Sequence, residues 1–214
     1  MAVDPVEPAE APRRRSARGA DTRRRILAGA RRVLAEEGIE RFTTRRVSER
    51  AGISHGMCHY HFKDKLDLVQ ALVEDARSDW VEPLEAIVQG PGSAHDRARL
   101  VIDWMAEPAT IEVMRVHLTL FWYALRNDAV RRRLSQEYGG WRAPFIRLFE
   151  DLARERGLED LDAAAVGEAF ASAADGLVQQ QSLDPDLDTH RLLTALFNRI
   201  AGAGGHDPRS SNSR

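Results

Sequence analysis

The 214-residue sequence has a single cysteine, Cys58, and only two lysines, Lys63 and Lys65, among its 31 basic residues. One cysteine excludes an internal disulfide and is typical of proteins in a reducing cytoplasm, where we expect this chain. No run of about 18 apolar residues occurs, which predicts no membrane span. The first 19 residues lack the apolar core of a secretory signal.

The sequence also lacks the patterns of strands and of common enzyme sites. No segment alternates apolar and polar residues between turn signals, so we predict an all-α fold of about nine helices. There is no nucleophile elbow, phosphate loop, paired-carboxylate constellation or metal motif. We therefore do not expect an enzyme, a cofactor or a metal.

Charge is distributed unevenly along the chain. Residues 1–66 carry 15 Lys and Arg against 9 Asp and Glu, whereas residues 67–214 carry 16 against 24. This asymmetry indicates that the amino-terminal part meets a polyanion, with a solvated basic face as the alternative.

Helical periodicity and turn signals divide the chain into four parts. We expect a disordered basic arm (1–19), a small helical domain (20–68), a larger helical domain (69–203) and a disordered tail (204–214). Arg13, Arg14, Arg15 and Arg18 of the arm could reach a DNA minor groove, or could form only a solvated tail.

The stretch "SHGMCHYHF", residues 54–62, holds three histidines and the only cysteine. On a helix, His55, Cys58 and His59 could approach one metal ion, but no second cluster supplies the further ligands that zinc prefers. Cys58 and Phe62 lie one turn apart and are the best anchors for this short helix. We therefore predict that Cys58 is a core residue.

Residues 43–62 form the better-supported motif, two short helices with a glycine-containing turn between them. Thr43 and Ser54 are natural caps, and Val47 and Ala51 mark the buried side. Such a helix-turn-helix places its second helix in the DNA major groove. The residues expected to contact bases or phosphates are Thr43, Thr44, Arg45, Ser54, His55, Gly56, Met57, His59, Tyr60, His61 and Lys65.

The pattern "FTTRRVSERAGIS", followed by Ser-x-Gly, an aromatic pair, Phe62 and "KDK", resembles the DNA-binding domain of TetR-type transcriptional regulators. The resemblance implies that Lys65 meets a phosphate. Cys58 stands where the family usually has Leu or Ile. His59 replaces the usual Tyr, which can alter base preference and the pH sensitivity of binding.

The segments "LFWYALRNDAVRRRLSQEYGGWRAPFIRLFEDL" and "DGLVQQQSLDPDL" are similar to the carboxy-terminal domain of regulators related to the choline-responsive betaine-pathway repressor. This resemblance implies a helical domain that binds a small effector and forms a dimer. The residues themselves indicate an amphiphilic or cationic effector. An aromatic wall suits a cation, balanced by Asp103, Glu107 or Asp175. The candidate ligand-binding residues are Trp104, Met114, His117, Phe121, Trp122, Trp141, Phe145 and Asp175, each of which could instead be a packed core residue.

Three further expectations concern the larger domain. The sixth helix, about 109–126, is apolar nearly all round, which predicts burial. Gly139 and Gly140 predict a kink in the seventh helix. The eighth and ninth helices would form a dimer interface, or would only close the monomer core. The proposed dimer contacts are Phe170, Leu177, Leu193, Leu196 and Phe197.

Together these observations predict a homodimeric repressor that binds a pseudo-palindromic double-stranded DNA operator and is released by a small effector. A transcriptional activator of the same fold, or a helical module that binds small molecules or proteins without DNA, would share many of these features.

Overall fold

The computed structural model describes residues 11–202, except for the side chains of residues 11–17, 76, 112 and 115. Over this range the chain forms nine α-helices and no strand, which confirms the predicted all-α fold. In chain order the helices are α1 (Ala11–Glu37), α2 (Thr44–Ala51), α3 (His55–His61), α4 (Lys65–Val88), α5 (Ala94–Met105), α6 (Pro108–Ala124), α7 (Asp128–Arg156), α8 (Ala163–Gln181) and α9 (Thr189–Gly202).

The helix ends follow the capping residues that the sequence supplies. The hydroxyl groups of Thr43 and Ser54 accept the backbone N–H of Arg46 and Met57 at 3.1 and 3.2 Å. Asn127 caps α7 in the same way, and Gly157 ends that helix in the left-handed conformation that favours glycine. The predicted caps of α2 and α3 are therefore confirmed.

The sequence pattern predicts a cap at Asp21 for the first helix and a start at about Asp96 for the fifth, but both helices begin earlier. α1 begins at Ala11 and not after Asp21, because alanine and arginine extend a helix readily. The Asp21 carboxylate instead accepts a hydrogen bond from Arg24 at 3.1 Å. α5 begins at Ala94, where Ser93 and Asp96 form a reciprocal capping box. The arm was expected to be disordered over residues 1–19, but it is helical from residue 11. Residues 1–10 and the predicted tail, 204–214, lie outside the described residues.

The chain divides into two compact units at Leu72 and Val73. In the first unit, α1 packs against α2, and α2 against α3. A Cβ on Gly29 of α1 would lie 2.9 Å from the backbone nitrogen of Ala51 on α2, so these two helices approach as closely as glycine allows. The fully buried side chains of this unit include Ile26, Val33, Phe42, Val47 and Cys58.

The second unit has an aromatic centre formed by α7, α8 and α9. The ring of Phe170 lies 5.9, 5.4 and 6.4 Å from those of Phe145, Phe149 and Phe197. Beside this core the buried Arg97 of α5 forms an ion pair with Asp151 of α7 at 2.9 Å. Since a buried guanidinium without a partner is costly, this pair requires α5 and α7 to remain together.

α6 is less buried than its composition predicted. Leu120 and Ala124 are buried, but Trp122 is 65% exposed and Leu125 is also exposed. Burial depends on which elements cover each face of a helix, and within this unit α6 packs chiefly on α7 and α8. The predicted burial all round was therefore wrong for its outer face. α7 continues without a break through Gly139 and Gly140.

Within residues 11–202 the helices lack the length of uninterrupted apolar sequence that a membrane span needs.

Candidate DNA-binding surface and ligand cavity

The inner side of α3 is held by two buried residues one turn apart. Cys58 is fully buried and Phe62 nearly so, with the guanidinium of Arg23 5.4 Å from the Phe62 ring centre. Burial raises the pKa of the Cys58 thiol, which keeps it neutral. The core position predicted for Cys58 is confirmed.

The outer side of α3 is exposed along its whole length. Tyr60 is 83% exposed and Met57 44%, and His55 and His59 are also exposed. A Cβ on Gly56 would meet no atom within 4 Å, so this position is open to solvent. We refer to these five residues as the α3 face. They offer polar and small groups that suit the edges of base pairs.

A chain of polar contacts crosses the α3 face. The Nε2 atom of His55 lies 3.2 Å from the Thr44 hydroxyl and 3.1 Å from Nε2 of His59. Nδ1 of His59 lies 3.3 Å from the carbonyl oxygen of Lys63. These contacts hold both imidazole rings in place beside the first turn of α2.

The remaining predicted DNA contacts lie around this face in varied settings. Arg45 is exposed and 3.5 Å from Glu49, whereas His61 is half-buried with its ring 5.3 Å from that of Tyr60. Lys65 is half-buried and donates to the carbonyl of Ile39 at 3.0 Å, and burial lowers its ammonium pKa. The Lys65 ammonium thus holds the loop before α2. A DNA phosphate could contact this ammonium only beside the carbonyl of Ile39.

Several arginines of the basic segment are paired within the first unit. The Glu37 carboxylate accepts hydrogen bonds from Arg46 and Arg50, both at 2.8 Å, and the Arg46 bond contributes most to lowering the Glu37 pKa. Arg25 donates to the carbonyls of Ala51 and Gly52 at the turn. The net charge of the segment therefore overstates the positive charge available to a partner.

The second unit contains a small aromatic cavity. It has a volume of about 30 Å³, enough for only a few water molecules. Three helices, α4, α6 and α7, supply most of the wall, and α8 supplies one carboxylate. The lining residues are Val73, Arg77, Trp80, Val81, Met114, His117, Glu137, Tyr138, Trp141 and Asp175.

The cavity perturbs the titratable groups in its wall. Burial raises the pKa of Asp175 to about 7, and the nearby positive charge of Arg142 only partly opposes this. Burial, and then the charge of Asp175, raises the pKa of the Tyr138 hydroxyl. Burial also lowers the pKa of His117 to about 4, so its ring is neutral at pH 7.

Three nitrogen atoms in this wall are buried and lack a hydrogen-bond partner among the described residues. They are Nε1 of Trp80, Nε1 of Trp141 and Nδ1 of His117. An indole nitrogen can only donate, and an unmade hydrogen bond in a buried site costs about 1–3 kcal/mol. All three nitrogens belong to residues that line the cavity.

Comparison with known proteins shows which families the two units resemble. Residues 26–72 match the family described as "Bacterial regulatory proteins, tetR family". Residues 94–204, more than half of the chain, match the carboxy-terminal domain of BetI-type transcriptional repressors. The chain belongs to the TetR family.

Individual relatives agree with this assignment. The HTH-type transcriptional regulator BetI of Cronobacter sakazakii is 28% identical over 195 residues, which cover 86% of this chain and 94% of BetI. A transcriptional regulator of Pseudomonas aeruginosa PAO1 has the same fold, with a TM-score of 0.75, 21% identity and coverage of 86% and 91%. A transcriptional regulator from Saccharomonospora viridis, solved in complex with choline, has a TM-score of 0.72 and 20% identity. The match covers 85% of this chain and 96% of that protein. This TetR-family chain is therefore a DNA-binding transcriptional regulator, as the sequence predicted.

The structure of this TetR-family regulator places the candidate ligand residues in different settings. Met114, His117, Trp141 and Asp175 line the cavity. Trp104 packs behind it, 6.4 Å from Trp141, and Phe145 is buried 5.1 Å from the same ring. Phe121 borders a separate groove with Tyr138, and Trp122 points to solvent. The consecutive aromatics of α6 diverge because helical residues project about 100° apart.

Two cavity aromatics, Trp80 and Tyr138, were not predicted. The spacing of Val73, Arg77, Trp80 and Val81 does place them on one helix face, as does that of Glu137, Tyr138 and Trp141. This spacing shows which residues share a face of one helix, but it does not show which other helix that face packs against.

The candidate dimer residues divide into two groups. Phe170, Leu193 and Phe197 are buried in the core of their own chain, so their side chains cannot also meet a second copy. Leu177 and Leu196 are only partly buried. For the first three, the alternative that α8 and α9 close the monomer core fits the structure.

Among the described residues no group of three or more His, Cys, Asp or Glu is arranged to hold a metal ion.

Proposed function

We propose that this regulator represses transcription as a homodimer on a pseudo-palindromic operator, and that a small cation bearing an oxygen acceptor releases it. One observation supports a cationic effector. The Asp175 carboxyl group shares a cavity with the rings of Trp80, Tyr138 and Trp141. Aromatic faces together with one carboxylate are the groups that attract a desolvated cation.

The charge balance of the cavity supports a cationic ligand. The raised pKa of Asp175 indicates that Arg142 does not fully compensate its burial. A bound cation would supply the missing charge and would favour the carboxylate form. His117 would not compete for this role, because burial keeps its ring neutral.

The indole N–H groups of Trp80 and Trp141 add a second requirement. Both are buried without a partner within the described residues, and both belong to residues that line the cavity. A hydroxyl or carbonyl oxygen on the ligand would accept from them. A quaternary ammonium alcohol such as choline combines both features, and choline occupies the Saccharomonospora viridis protein of similar fold.

Ligand entry would require the cavity walls to separate, since about 30 Å³ cannot hold choline. Arg77, Trp80 and Val81 belong to α4, a helix that begins at Lys65 in the DNA-binding unit. Effector binding would thus favour a different placement of α4. It could control DNA only to the extent that the two arrangements bind the effector with different affinities.

On the DNA side, the α3 face would enter the major groove, with Tyr60 and His55 near base edges and Thr44 and Arg45 near phosphates. A symmetric dimer would then place two such faces on successive turns of one duplex. The outer sides of α8 and α9, where Ala165 and Ala169 are exposed and Leu177 is half-buried, are the proposed dimer contacts. Sedimentation equilibrium of the Leu177→Arg variant should show a monomer.

Calorimetric titration tests the effector class. Choline is compared with 3,3-dimethyl-1-butanol, its uncharged isostere, on the wild-type protein and on Asp175→Asn. We expect choline binding that weakens at least about tenfold in Asp175→Asn, and weak binding of the isostere to both. Asp103→Asn, an exposed carboxylate candidate, is the matched control and should bind as wild type. Equal binding of choline and the isostere would contradict a cation site.

An activator of the same fold would use the same contacts. Reporter expression from the regulated promoter with the gene deleted distinguishes the two, because loss of a repressor raises expression and loss of an activator lowers it.

A further inference from the structure

Two histidines on the α3 face present their Nε2 atoms to each other. His55 and His59 are four residues apart on α3, their ring centroids are 4.4 Å apart, and the Nε2 atoms are separated by 3.1 Å. Both side chains are exposed. No other histidine pair makes a contact of this kind among the described residues.

This separation matches the spacing of two nitrogen ligands on one metal ion. Zinc–imidazole bonds are about 2.0–2.1 Å long, so two such nitrogens lie about 2.9 Å apart at a right angle and about 3.4 Å apart at a tetrahedral angle. The observed 3.1 Å lies within this interval. Histidines at positions i and i+4 of a helix are a known arrangement for binding zinc from one face.

The surrounding groups prepare His59 to act as a ligand. Its Nδ1 atom lies 3.3 Å from the carbonyl oxygen of Lys63, which can accept only if Nδ1 carries the proton. The Nε2 lone pair of His59 is then directed at His55. A backbone carbonyl behind the ring is the support that metal-binding histidines usually have. Without metal, a single N–H proton of His55 occupies the space between the rings.

We propose that His55 and His59 form an open site for a divalent transition metal such as Zn²⁺ or Ni²⁺, and that the bound ion prevents operator binding. On metal binding the Nε2 proton of His55 moves to its Nδ1 atom through solvent, so that both rings stay neutral and both Nε2 lone pairs face the ion. Water and the Thr44 hydroxyl, 3.2 Å from His55 Nε2, complete the coordination. Cys58 stays out of the site, because it is buried on the opposite side of α3.

Competition with DNA follows from the position of the site. The ion would occupy the centre of the α3 face, where base edges must approach within hydrogen-bonding distance. Its hydration shell would hold the duplex away, and the Nε2 atoms of both imidazoles would be unavailable to base edges. This second part rests on the proposed DNA contact, whereas metal binding itself does not.

Titration of the full-length protein with Zn²⁺ and Ni²⁺ tests the site directly. We expect His55→Gln and His59→Gln each to weaken binding at least about tenfold. His61→Gln removes a histidine of the same helix that has no such partner, and it should bind as wild type. Far-ultraviolet circular dichroism confirms that the variants remain helical. Unchanged affinity in both His55→Gln and His59→Gln, or an equal loss in His61→Gln, would overturn the assignment.

Fluorescence anisotropy on DNA from the upstream region tests the competition. For wild type and His61→Gln, saturating Zn²⁺ should weaken DNA binding at least about tenfold, and EDTA should restore it. In His59→Gln the ratio of affinities with and without Zn²⁺ should be close to one, whatever its own affinity. Metal binding with no change in wild-type DNA affinity would overturn the competition. If no variant bound DNA even with EDTA, the proposed function would fail while the metal titration remained interpretable.

Discussion

A Cβ atom on Gly167 of α8 would lie 2.6 Å from the Cα atom of Ile146 on α7. Only glycine permits this backbone approach, which closes the core where Phe145 and Phe170 meet. Packing of α7 on α8 therefore depends on a residue without a side chain. Neither helix shows this in its own sequence pattern.

We expect Gly167→Ala to destabilise the second unit by about 1–3 kcal/mol, because the backbones must separate to admit the methyl group. Gly139→Ala is the matched control in α7, since its Cβ would meet nothing within 4 Å. That change should be neutral or stabilise by up to about 1 kcal/mol. Urea denaturation followed by circular dichroism measures both. Equal stability of the two variants would contradict the close packing.

The contrast between these glycines explains how far the sequence could predict the fold. Caps such as Thr43 and Ser54 depend on local chemistry, and the sequence was sufficient to place them. The burial of Cys58 followed from helical spacing with one neighbour, Phe62. The approach of Gly167 to Ile146 is a relation between two elements, which no single helix encodes.

The same reasoning applies to the candidate site. His117 was identifiable as a polar group within an apolar segment, and Asp175 was one of three carboxylates predicted to balance a cation. The exposure of Trp122 and the position of Trp80 in the cavity were not, because they depend on which helix faces are covered. The contact between the His55 and His59 nitrogens required side-chain rotamers in addition to spacing.

Tyr60→Ala should weaken operator binding at least about tenfold without changing the thermal midpoint. Tyr60 is almost fully exposed, so its removal loses little packing energy within the chain. Fluorescence anisotropy with a labelled upstream duplex measures the affinity. Trp122→Ala removes another exposed aromatic, on α6, and should bind DNA as wild type. Loss of affinity in Trp122→Ala alone would point to a different DNA surface.

Choline affinity should rise with pH between about 6 and 8 and level off above that range. The free protein holds Asp175 with a pKa of about 7, and a bound cation favours the ionised form. Arg77, His117, Glu137, Tyr138 and Arg142 also face this carboxyl group or its cavity. Because the choline charge does not titrate, calorimetry at several pH values reports on the protein alone. The profile should be flat in Asp175→Asn, and an unchanged slope there would assign the proton to another group.

His117 should make the protein less stable in mild acid. Its folded pKa, about 4, lies below the unfolded value of 6.5, so the neutral ring contributes stability above pH 6.5. This contribution is lost as the pH falls from 6.5 to about 4, and amounts to at most about 3 kcal/mol. Denaturation midpoints should therefore depend less on pH in His117→Phe than in wild type. His61→Gln, which changes a histidine on α3 in the other unit, serves as control and should keep the wild-type profile.

Hydroxyl-radical footprinting on DNA upstream of the gene is the most direct test of operator binding through α3. Wild-type protein should protect two segments about one helical turn apart on the same face of the duplex, as a dimer with two α3 faces requires. Tyr60→Ala should lose both protected segments at the same protein concentration. Protection that persists unchanged in folded Tyr60→Ala, or no protection by wild type at any concentration, would contradict the account.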